Sequence, residues 1–507
     1  VGHHHITIIG DQKMPVWSKE QEEIFSFFET IHEQSQDLVI EAYAGCAKTT
    51  TAIQAIKHYH AKYPKKRILM AAFNKKNADE LTEKINALGI EWKQAHAKTL
   101  NSVGLACHRK NSKGKINVEP RKGRIIAKAL ADAYNGTRGE DDQISGLAGK
   151  VRRLVELAKA TLTWSNNDYE MRSLCWEHMI SCDVDEVNVV IDLARKAMDE
   201  STYDPFNVDF TDMIWFPYRF KQWPWQYDLV IIDEAQDQNA AMLSLAQKSK
   251  KRNGKLVIIG DRHQAIYGWR GADSEFMQRA TEEMGAKVLT LSQTFRCGKA
   301  IVAEVAEEHK LVPGFTAHKD NCEGLVRHER IDTMIEEAVA GDFIISRKNA
   351  DLMQLCIEFL KDGRAATIQG RDIMGALIGI INDSEAVTTP EFLSWLEDYR
   401  VVEAQKLELL DAEEKQIDAH YDRCECLRVL SVECDTTQCL IDKLEELFSD
   451  DDDENKIVLT TAHRSKGLER DRVWLLIDSF RADRGGQEAN CLYVAITRAK
   501  EEVVYVG

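Results

Sequence analysis

The strongest constraint on this chain is a set of short, unbroken apolar runs separated by stretches of helical periodicity. Leu38–Ala42, Arg67–Phe73, Leu229–Asp233, Leu256–Gly260 and Val288–Leu291 lie in the first half, and Phe343–Ser346, Ile457–Thr461, Val473–Ile477 and Val503–Val506 in the second. A run that is apolar throughout, and not merely at alternate positions, fits a strand covered on both faces, as in a parallel sheet wrapped by helices. Alternating β and α segments predict an α/β architecture of doubly wound sheets. At 507 residues the chain is too long for one ordinary core. The alternation breaks near residues 106–190 and 376–455, where the pattern is mainly helical. The expected plan is a first α/β domain from 1–105 and 191–285 with a helical insertion at 106–190. A second domain comes from 286–375 and 456–507, with a helical, acidic insertion at 376–455.

Composition narrows the class. The chain is 44% hydrophobic and 29% charged, as in soluble globular proteins, and no apolar run reaches the roughly 18 residues of a membrane-spanning helix. The start, Val1-Gly-His-His-His-Ile, lacks the basic-then-apolar pattern of a secretory leader. His3, His4 and His5 read as a solvated tail or as metal ligands. Twelve cysteines without a secretory signal are expected as thiols in a reducing, intracellular setting, cytoplasmic or nuclear. Cys424, Cys426, Cys434 and Cys439 are bunched, but in a spacing that is no standard ligand pattern; thiols and a metal site both stay open. A net charge of −17 weighs against nucleic acid, although a local basic groove can still grip phosphates. Much of the acidity sits in Glu391–Glu454, whose end, Asp450-Asp-Asp-Asp-Glu454, reads as a solvated loop or tether.

Two strings carry chemistry. Ala42-Tyr-Ala-Gly45-Cys46-Ala47-Lys48-Thr49-Thr50 follows a strand and precedes the helical run Thr51–Tyr63, the setting of a phosphate-binding loop. Backbone N–H groups from Gly45 to Thr50 would cradle phosphates, Lys48 would reach the β and γ oxygens, and the Thr49 hydroxyl would bind magnesium. Ala42 and Ala47 stand where such loops carry glycine, so an ordinary β–α turn remains an alternative at this point. Tyr227-Asp-Leu-Val-Ile-Ile-Asp233-Glu234-Ala-Gln-Asp237 is an apolar strand ending in carboxylates. Asp233 suits the metal shell, and Glu234 suits orienting or deprotonating a water. Farther on, Gly260-Asp-Arg-His-Gln264 leaves another strand with a polar exit, where Gln264 would sense a γ-phosphate.

At this point the residues resemble the UvrD/Rep-type superfamily 1 helicases, especially their shorter, F-box-helicase-like members. The likeness runs from about Trp17 to the C-terminus, with the motifs in family order. Trp17-Ser-Lys-Glu-Gln21 resembles the adenine-reading glutamine motif. Ala71-Ala-Phe73-Asn74-Lys75-Lys76 and Ala97-Lys-Thr99-Leu-Asn101-Ser102 resemble two strand-contacting motifs, with Asn101 where the family has histidine. Gln264-Ala-Ile-Tyr267-Gly-Trp269-Arg270 joins a phosphate sensor to an aromatic platform, where a base stack would be worth about 1–3 kcal/mol. In isolation Tyr267 and Trp269 would read as core aromatics. Leu291-Ser-Gln-Thr294-Phe295-Arg296 is similar to the next motif, with threonine for asparagine; by resemblance Phe295 packs on adenine and Arg296 reaches the γ-phosphate. Thr460-Thr461-Ala-His463-Arg-Ser-Lys466-Gly467-Leu-Glu469 resembles the motif that contacts DNA through His463 and the nucleotide through Glu469. In the closing string Tyr493-Val-Ala-Ile-Thr497-Arg498, the arginine matches a second finger.

The resemblance implies two RecA-like domains of the P-loop NTPase class, with ATP and Mg²⁺ between them. It further implies movement along single-stranded DNA, 3′ to 5′, and opening of tailed or forked duplexes. The second insertion is shorter than in the larger family members, which makes unwinding less secure than translocation, and no nuclease domain is expected beyond Arg498. Two other readings stay open: a translocase that strips proteins with weak unwinding, and an ATP-gated single-strand sensor. The sequence does not separate DNA from RNA.

Overall fold

The computed structural model describes residues 17–139, 143–144, 146–178, 180, 184–266, 276–409, 414–432, 434–448, 454–481 and 486–507. His3–His5, Tyr267, Trp269, Arg270 and Asp450–Asp453 lie outside the described residues.

The chain opens with helix α1 (Lys19–Thr30), whose start is fixed by a reciprocal capping box between Ser18 and Gln21. Alternation follows: β1 (Leu38–Ala42), α2 (Lys48–Lys62), β2 (Ile68–Ala72), α3 (Lys75–Ala87), β3 (Ala95–Thr99) and α4 (Leu100–Asn111). A helical excursion holds α5 (Lys122–Asn135), α6 (Leu147–Thr161), α7 (Asp168–Glu177), α8 (Val184–Tyr203) and α9 (Phe210–Arg219). The two-residue pair β4 (Asn117–Val118) and β5 (Asn207–Val208) brackets α5 to α8, and α9 follows. The sheet resumes with β6 (Tyr227–Ile232), α10 (Ala240–Ser249), β7 (Lys250–Gly260), α11 (Phe276–Met284) and β8 (Lys287–Leu291). These strands form one six-stranded sheet in the order β3-β2-β6-β7-β1-β8, parallel at every pairing.

The second half repeats the plan. A short pair, β9 (Gln293–Thr294) and β10 (Thr316–Ala317), brackets α12 (Lys299–Ala303). Then come β11 (Leu325–Glu329), α13 (Ile331–Glu337), β12 (Phe343–Ser346), α14 (Asn349–Lys361), β13 (Ala366–Ile368) and the helices α15 (Arg371–Asp383), α16 (Thr389–Leu409), α17 (Glu414–Ser431) and α18 (Thr437–Leu447). Finally β14 (Ile457–Thr461), β15 (Arg470–Leu476), α19 (Gly486–Ile496) and β16 (Ala499–Val506) complete a second parallel sheet, ordered β11-β16-β15-β12-β14-β13. The α/β expectation of two parallel sheets with helical insertions therefore holds, and every apolar run singled out in the sequence is a strand.

The element edges differ from the expected boundaries. Strand β8 pairs with β1, so the first sheet extends past residue 285. The expected edge at 190/191 falls inside α8, and that at 375/376 inside α15. Composition shifts place such edges poorly, because a helix runs on while its hydrogen-bond ladder and buried stripe continue.

Each insertion is fastened by polar contacts, fully buried in the first and half-buried in the second. In the first, Asp212 is fully buried and receives Lys122 Nζ at 2.8 Å and Lys159 Nζ at 2.6 Å, which ties α9 to α5 and α6. Burial opposes ionisation of Asp212, but the two ammonium charges outweigh it and lower its pKa. In the second, Asp422 on α17 accepts the backbone N–H groups of Asn349 (3.0 Å) and Ala350 (2.8 Å), capping α14 where the N-cap Lys348 offers no acceptor. Cys424 and Cys426 are buried in this packing, while Cys434 and Cys439 bring their sulfurs to 2.8 Å. Among the described residues no three His, Cys, Asp or Glu side chains converge as a metal would require.

Candidate active site

The sheet order brings the chemistry together. β6, β7 and β1 are neighbours, so their carboxyl ends place Asp233–Glu234, Gly260–Gln264 and the Ala42–Ala47 loop side by side. Ligands of open parallel sheets bind at that edge. Next along the same edge, β2 and β3 lead to Phe73–Asn74 and Thr99.

The loop before α2 is shaped for an anion. Its N-cap is Ala47, in the left-handed region at φ 56°, and no side chain caps the helix, so the first-turn N–H groups of Lys48, Thr49 and Thr50 have no side-chain acceptor. Gly45 sits at φ 69°, and a Cβ there would lie 2.4 Å from Thr294 Oγ1 and 2.6 Å from Arg296 Cβ. Glycine is thus required by both the backbone angle and the close approach of the 294–296 segment. The Gly45 carbonyl accepts the Phe295 N–H at 2.9 Å. Cys46 is buried within the loop and its thiol pKa is raised well above the usual range by burial.

Lys48 Nζ lies 3.5 Å from Glu234 Oε2. Burial works against the ammonium, but Glu234, then Asp261 and Asp233, outweigh it and raise its pKa. The adjacent carboxylates are driven apart: burial and the Glu234 charge push Asp233 up, while Lys48 overcomes burial and holds Glu234 down. Asp233 Oδ1 accepts the Glu234 N–H at 3.0 Å, and Glu234 is held at φ 50°, a strained conformation for a non-glycine residue.

Two residues that sequence reasoning passed over tie this cleft to the next loop. Gln236 donates to Glu234 Oε2 at 2.6 Å and accepts the Asp261 N–H at 3.0 Å. Tyr493, fully buried on α19, accepts the Ala44 N–H at 2.8 Å and donates to Asp261 Oδ2 at 3.1 Å. Gln264 donates to that same carboxylate oxygen at 2.8 Å. From the second lobe, Lys466 donates to both oxygens of Asp237 (2.7 and 2.8 Å) and to the Gln264 carbonyl (2.8 Å). His463 and Gln487 meet the Ile266 carbonyl, and Asn490 donates to the Ala265 carbonyl at 3.1 Å. Burial, reinforced by the charge of Arg347, lowers the His463 pKa to about 4, so its ring is neutral at pH 7. The loop 261–266 is therefore gripped from the second lobe by five side chains. Gln236, Tyr493 and Lys466 stand inside the motif strings; their neighbours in those strings were the available signal.

The other expected residues among those described are placed as follows. Arg296 pairs with Glu469 (Nε–Oε2 2.7 Å) and donates to the Thr497 carbonyl at 3.2 Å. Arg498 is almost fully buried, donating to the Val494 (2.8 Å) and Leu468 (3.2 Å) carbonyls; burial and the nearby Arg296 charge lower its pKa to about 9. Phe295 leaves its ring 40% exposed against His318, at 4.8 Å between centroids. Gln21 is engaged at both ends of its amide, by the Ser18 N–H (3.0 Å) and by Thr51 Oγ1 (2.9 Å). Phe73 is 44% exposed, whereas Asn74 and Thr99 are the N-caps of α3 and α4, accepting from Asn77 N (2.8 Å) and Ser102 N (3.1 Å).

Comparison with known proteins fits this geometry. Residues 25–285 match the UvrD/REP helicase N-terminal domain, and residues 456–506 the UvrD-like helicase C-terminal domain. This chain belongs to the UvrD/REP helicase family. Among curated relatives, the F-box DNA helicase protein 1 of Schizosaccharomyces pombe is 25% identical over 92% of this chain and 55% of its own length. The ATP-dependent DNA helicase PcrA of Leuconostoc citreum is 24% identical over 63% of the chain and 43% of its own length. DNA helicase II of Escherichia coli is 30% identical over 19% of the chain and 15% of its own length. The chain thus spans about half the length of the first of these relatives, or less of the others. Within this helicase-family chain, the N-terminal match covers the phosphate loop, the carboxylates and the 261–266 loop, and the C-terminal match covers Lys466, Glu469 and Arg498. Among the described residues no helix is long and apolar enough to cross a membrane.

Proposed function

We propose that the chain is an ATP-dependent translocase on single-stranded DNA, moving 3′ to 5′ and opening tailed or forked duplexes. The observation that carries this reading is the double tie between the nucleotide cleft and the 261–266 loop, through Gln236 on one side and Tyr493 on the other. A change at the phosphate loop is felt at the loop that leads directly into Tyr267 and Trp269.

In this reading Lys48 leaves Glu234 for the β and γ oxygens of ATP, and Glu234 then takes the proton of the attacking water. Thr49 and Asp233 offer hard oxygen ligands of the kind a divalent cation takes, and magnesium, when bound, neutralises phosphate charge there. Arg296, held by Glu469, and Arg498 bring positive charge from the second lobe, and Phe295 with His318 gives adenine a stacking face. Adenine reading by Gln21 requires its amide to exchange the Ser18 or Thr51 partner. Asn74 and Thr99 begin helices whose first N–H groups suit strand phosphates, with Phe73 and His463 beside them. Loss of the γ-phosphate removes what both lobes hold and lets the cleft relax.

Strand displacement from 3′-tailed, 5′-tailed and blunt duplexes tests this. ATP-dependent displacement from the 3′ tail is expected; displacement from the 5′ tail alone contradicts the polarity. DNA-stimulated hydrolysis without displacement favours the protein-stripping translocase. The strained Ala47 favours a second reading, an ATP-gated sensor, whose mark is slow turnover with tight, ATP-dependent DNA binding.

A further inference from the structure

The base of the first lobe, at the far end of α4 from Thr99, combines exposed aromatic rings with unpaired cations. Trp223 and Trp225 are 58% and 55% exposed, the highest among the described tryptophans, and Phe206 is 44% exposed. Single exposed rings are ordinary, but several gathered in one patch with a polar rim mark an interaction surface. From Arg109 to Lys115 there are four cations and no carboxylate, in a chain whose net charge is −17. None of these four forms an ion pair with a described residue. Lys110 instead lies over the Trp225 ring at 4.5 Å and reaches the Trp223 carbonyl at 3.5 Å.

The patch is one surface. Buried His108, near the end of α4, contacts the Pro205 carbonyl at 2.7 Å and the Gln222 side chain at 3.1 Å, which brings the Phe206 and Trp223 segments together. Phe206 also packs over Gly114, where a Cβ would lie 2.5 Å from its ring. Just past α9, Lys221 adopts φ 52°, where a helix end usually carries glycine. That position holds one more exposed cation.

We propose that this surface is a second, sequence-tolerant binding site for single-stranded nucleic acid, in which bases stack on Trp223 and Trp225 while Lys110, Lys113 and Lys115 meet phosphates. Cations with interleaved open rings are the chemistry that grips a single strand without reading its bases. The inference rests on the translocase reading and extends it. One helix of about 18 Å separates the patch from Thr99, so a long strand reaches both, while one of about four nucleotides, ~14 Å at ~3.4 Å per nucleotide, cannot.

The test compares labelled single-stranded DNA of roughly 4 and roughly 30 nucleotides by fluorescence anisotropy, using the whole chain as wild type, Lys110→Glu/Lys113→Glu and Trp223→Ala/Trp225→Ala. Both variants should bind the long strand about tenfold more weakly and the short strand as wild type does. The charge variant should flatten the salt dependence of long-strand binding by about 1.4 logarithmic units per decade. Hydrolysis without DNA should not change, which also reports intact folding. Unchanged long-strand affinity in both variants overturns the proposal, as does equal loss for both lengths. Unchanged DNA affinity with lost binding of a poly-glutamate peptide assigns the patch to acidic protein instead. A parallel RNA arm separates the two polynucleotides. If neither strand stimulates wild-type hydrolysis, the translocase reading falls whatever the variants show.

Discussion

Two clusters of charge in this chain are balanced in opposite ways. In the helical insertion, Asp212 sits between Lys122 and Lys159 with both carboxylate oxygens paired, all three side chains being at most 5% exposed. In the cleft, Lys48 shares Asp233, Glu234 and Asp261 on strained backbone, and the adjacent carboxylates are pushed to opposite proton affinities. The first cluster is satisfied, and it fastens helices. In the second, one ammonium faces three carboxylates, an excess of negative charge that the proposed reading assigns to a bound cation. Burial of charge is therefore no sign of function by itself; uncompensated charge at the carboxyl edge of a sheet is the informative part.

The comparison can be broken by removing one carboxylate from each cluster. Glu234→Gln should lower steady-state ATP hydrolysis about a thousandfold while leaving the thermal midpoint unchanged or higher. Asp212→Ala should instead cost about 3–5 kcal/mol in chemical denaturation, because it strands two buried ammonium groups, with hydrolysis per folded molecule retained. If Asp212→Ala abolishes hydrolysis in molecules that remain folded, the contrast fails.

Smaller changes sharpen the contrast. Tyr493→Phe keeps the ring and removes the hydroxyl shared by Ala44 and Asp261, so DNA stimulation of hydrolysis should drop about tenfold, roughly the worth of one buried hydrogen bond to a charged group. Basal hydrolysis should change less. Asp237 gives a pH handle, because burial, only partly offset by Lys466, raises its pKa to about 6. Since the folded carboxyl holds its proton more tightly than the unfolded one, its contribution to stability rises as pH falls from about 6 to about 4. The same protonation removes the charge partner of Lys466, so stimulation by DNA should decline through that window. Asp237→Asn should lose this pH dependence, which a pH series of stimulated against basal rates will show. Last, Ala47→Gly should relieve the left-handed strain and stabilise the fold by about 0.5–1 kcal/mol in denaturant titration.

How much of this was legible follows from where residues sit in the sheets. Central strands such as β2, β12 and β14 are buried at every position and therefore announce themselves as unbroken apolar runs. In the two six-stranded sheets, the strands that escaped notice, β3, β11 and β13, are all edges. Two of them carry polar residues, His96 in β3 and Arg327 and His328 in β11, and β13 is only three residues long. In the cleft, Lys48, Thr49, Asp233, Glu234 and Gln264 stood out from their places at strand ends, whereas Gln21, Phe295, Arg296, Glu469 and Arg498 entered through the family resemblance. Gln236 and Tyr493 did neither, because their role depends on meeting Asp261 across the fold, 25 and 232 residues away in sequence. The aromatic base of the first lobe was invisible for the same reason, being assembled from three separate segments around His108.

The most direct test of the central claim, that the second lobe's grip on the 261–266 loop joins nucleotide chemistry to the strand, is steady-state ATP hydrolysis by the wild type and Tyr493→Phe with and without single-stranded DNA. Strong stimulation in the wild type, with most of it lost and basal turnover kept in Tyr493→Phe, is the predicted result. Equal stimulation in both proteins, or none in the wild type, would contradict it.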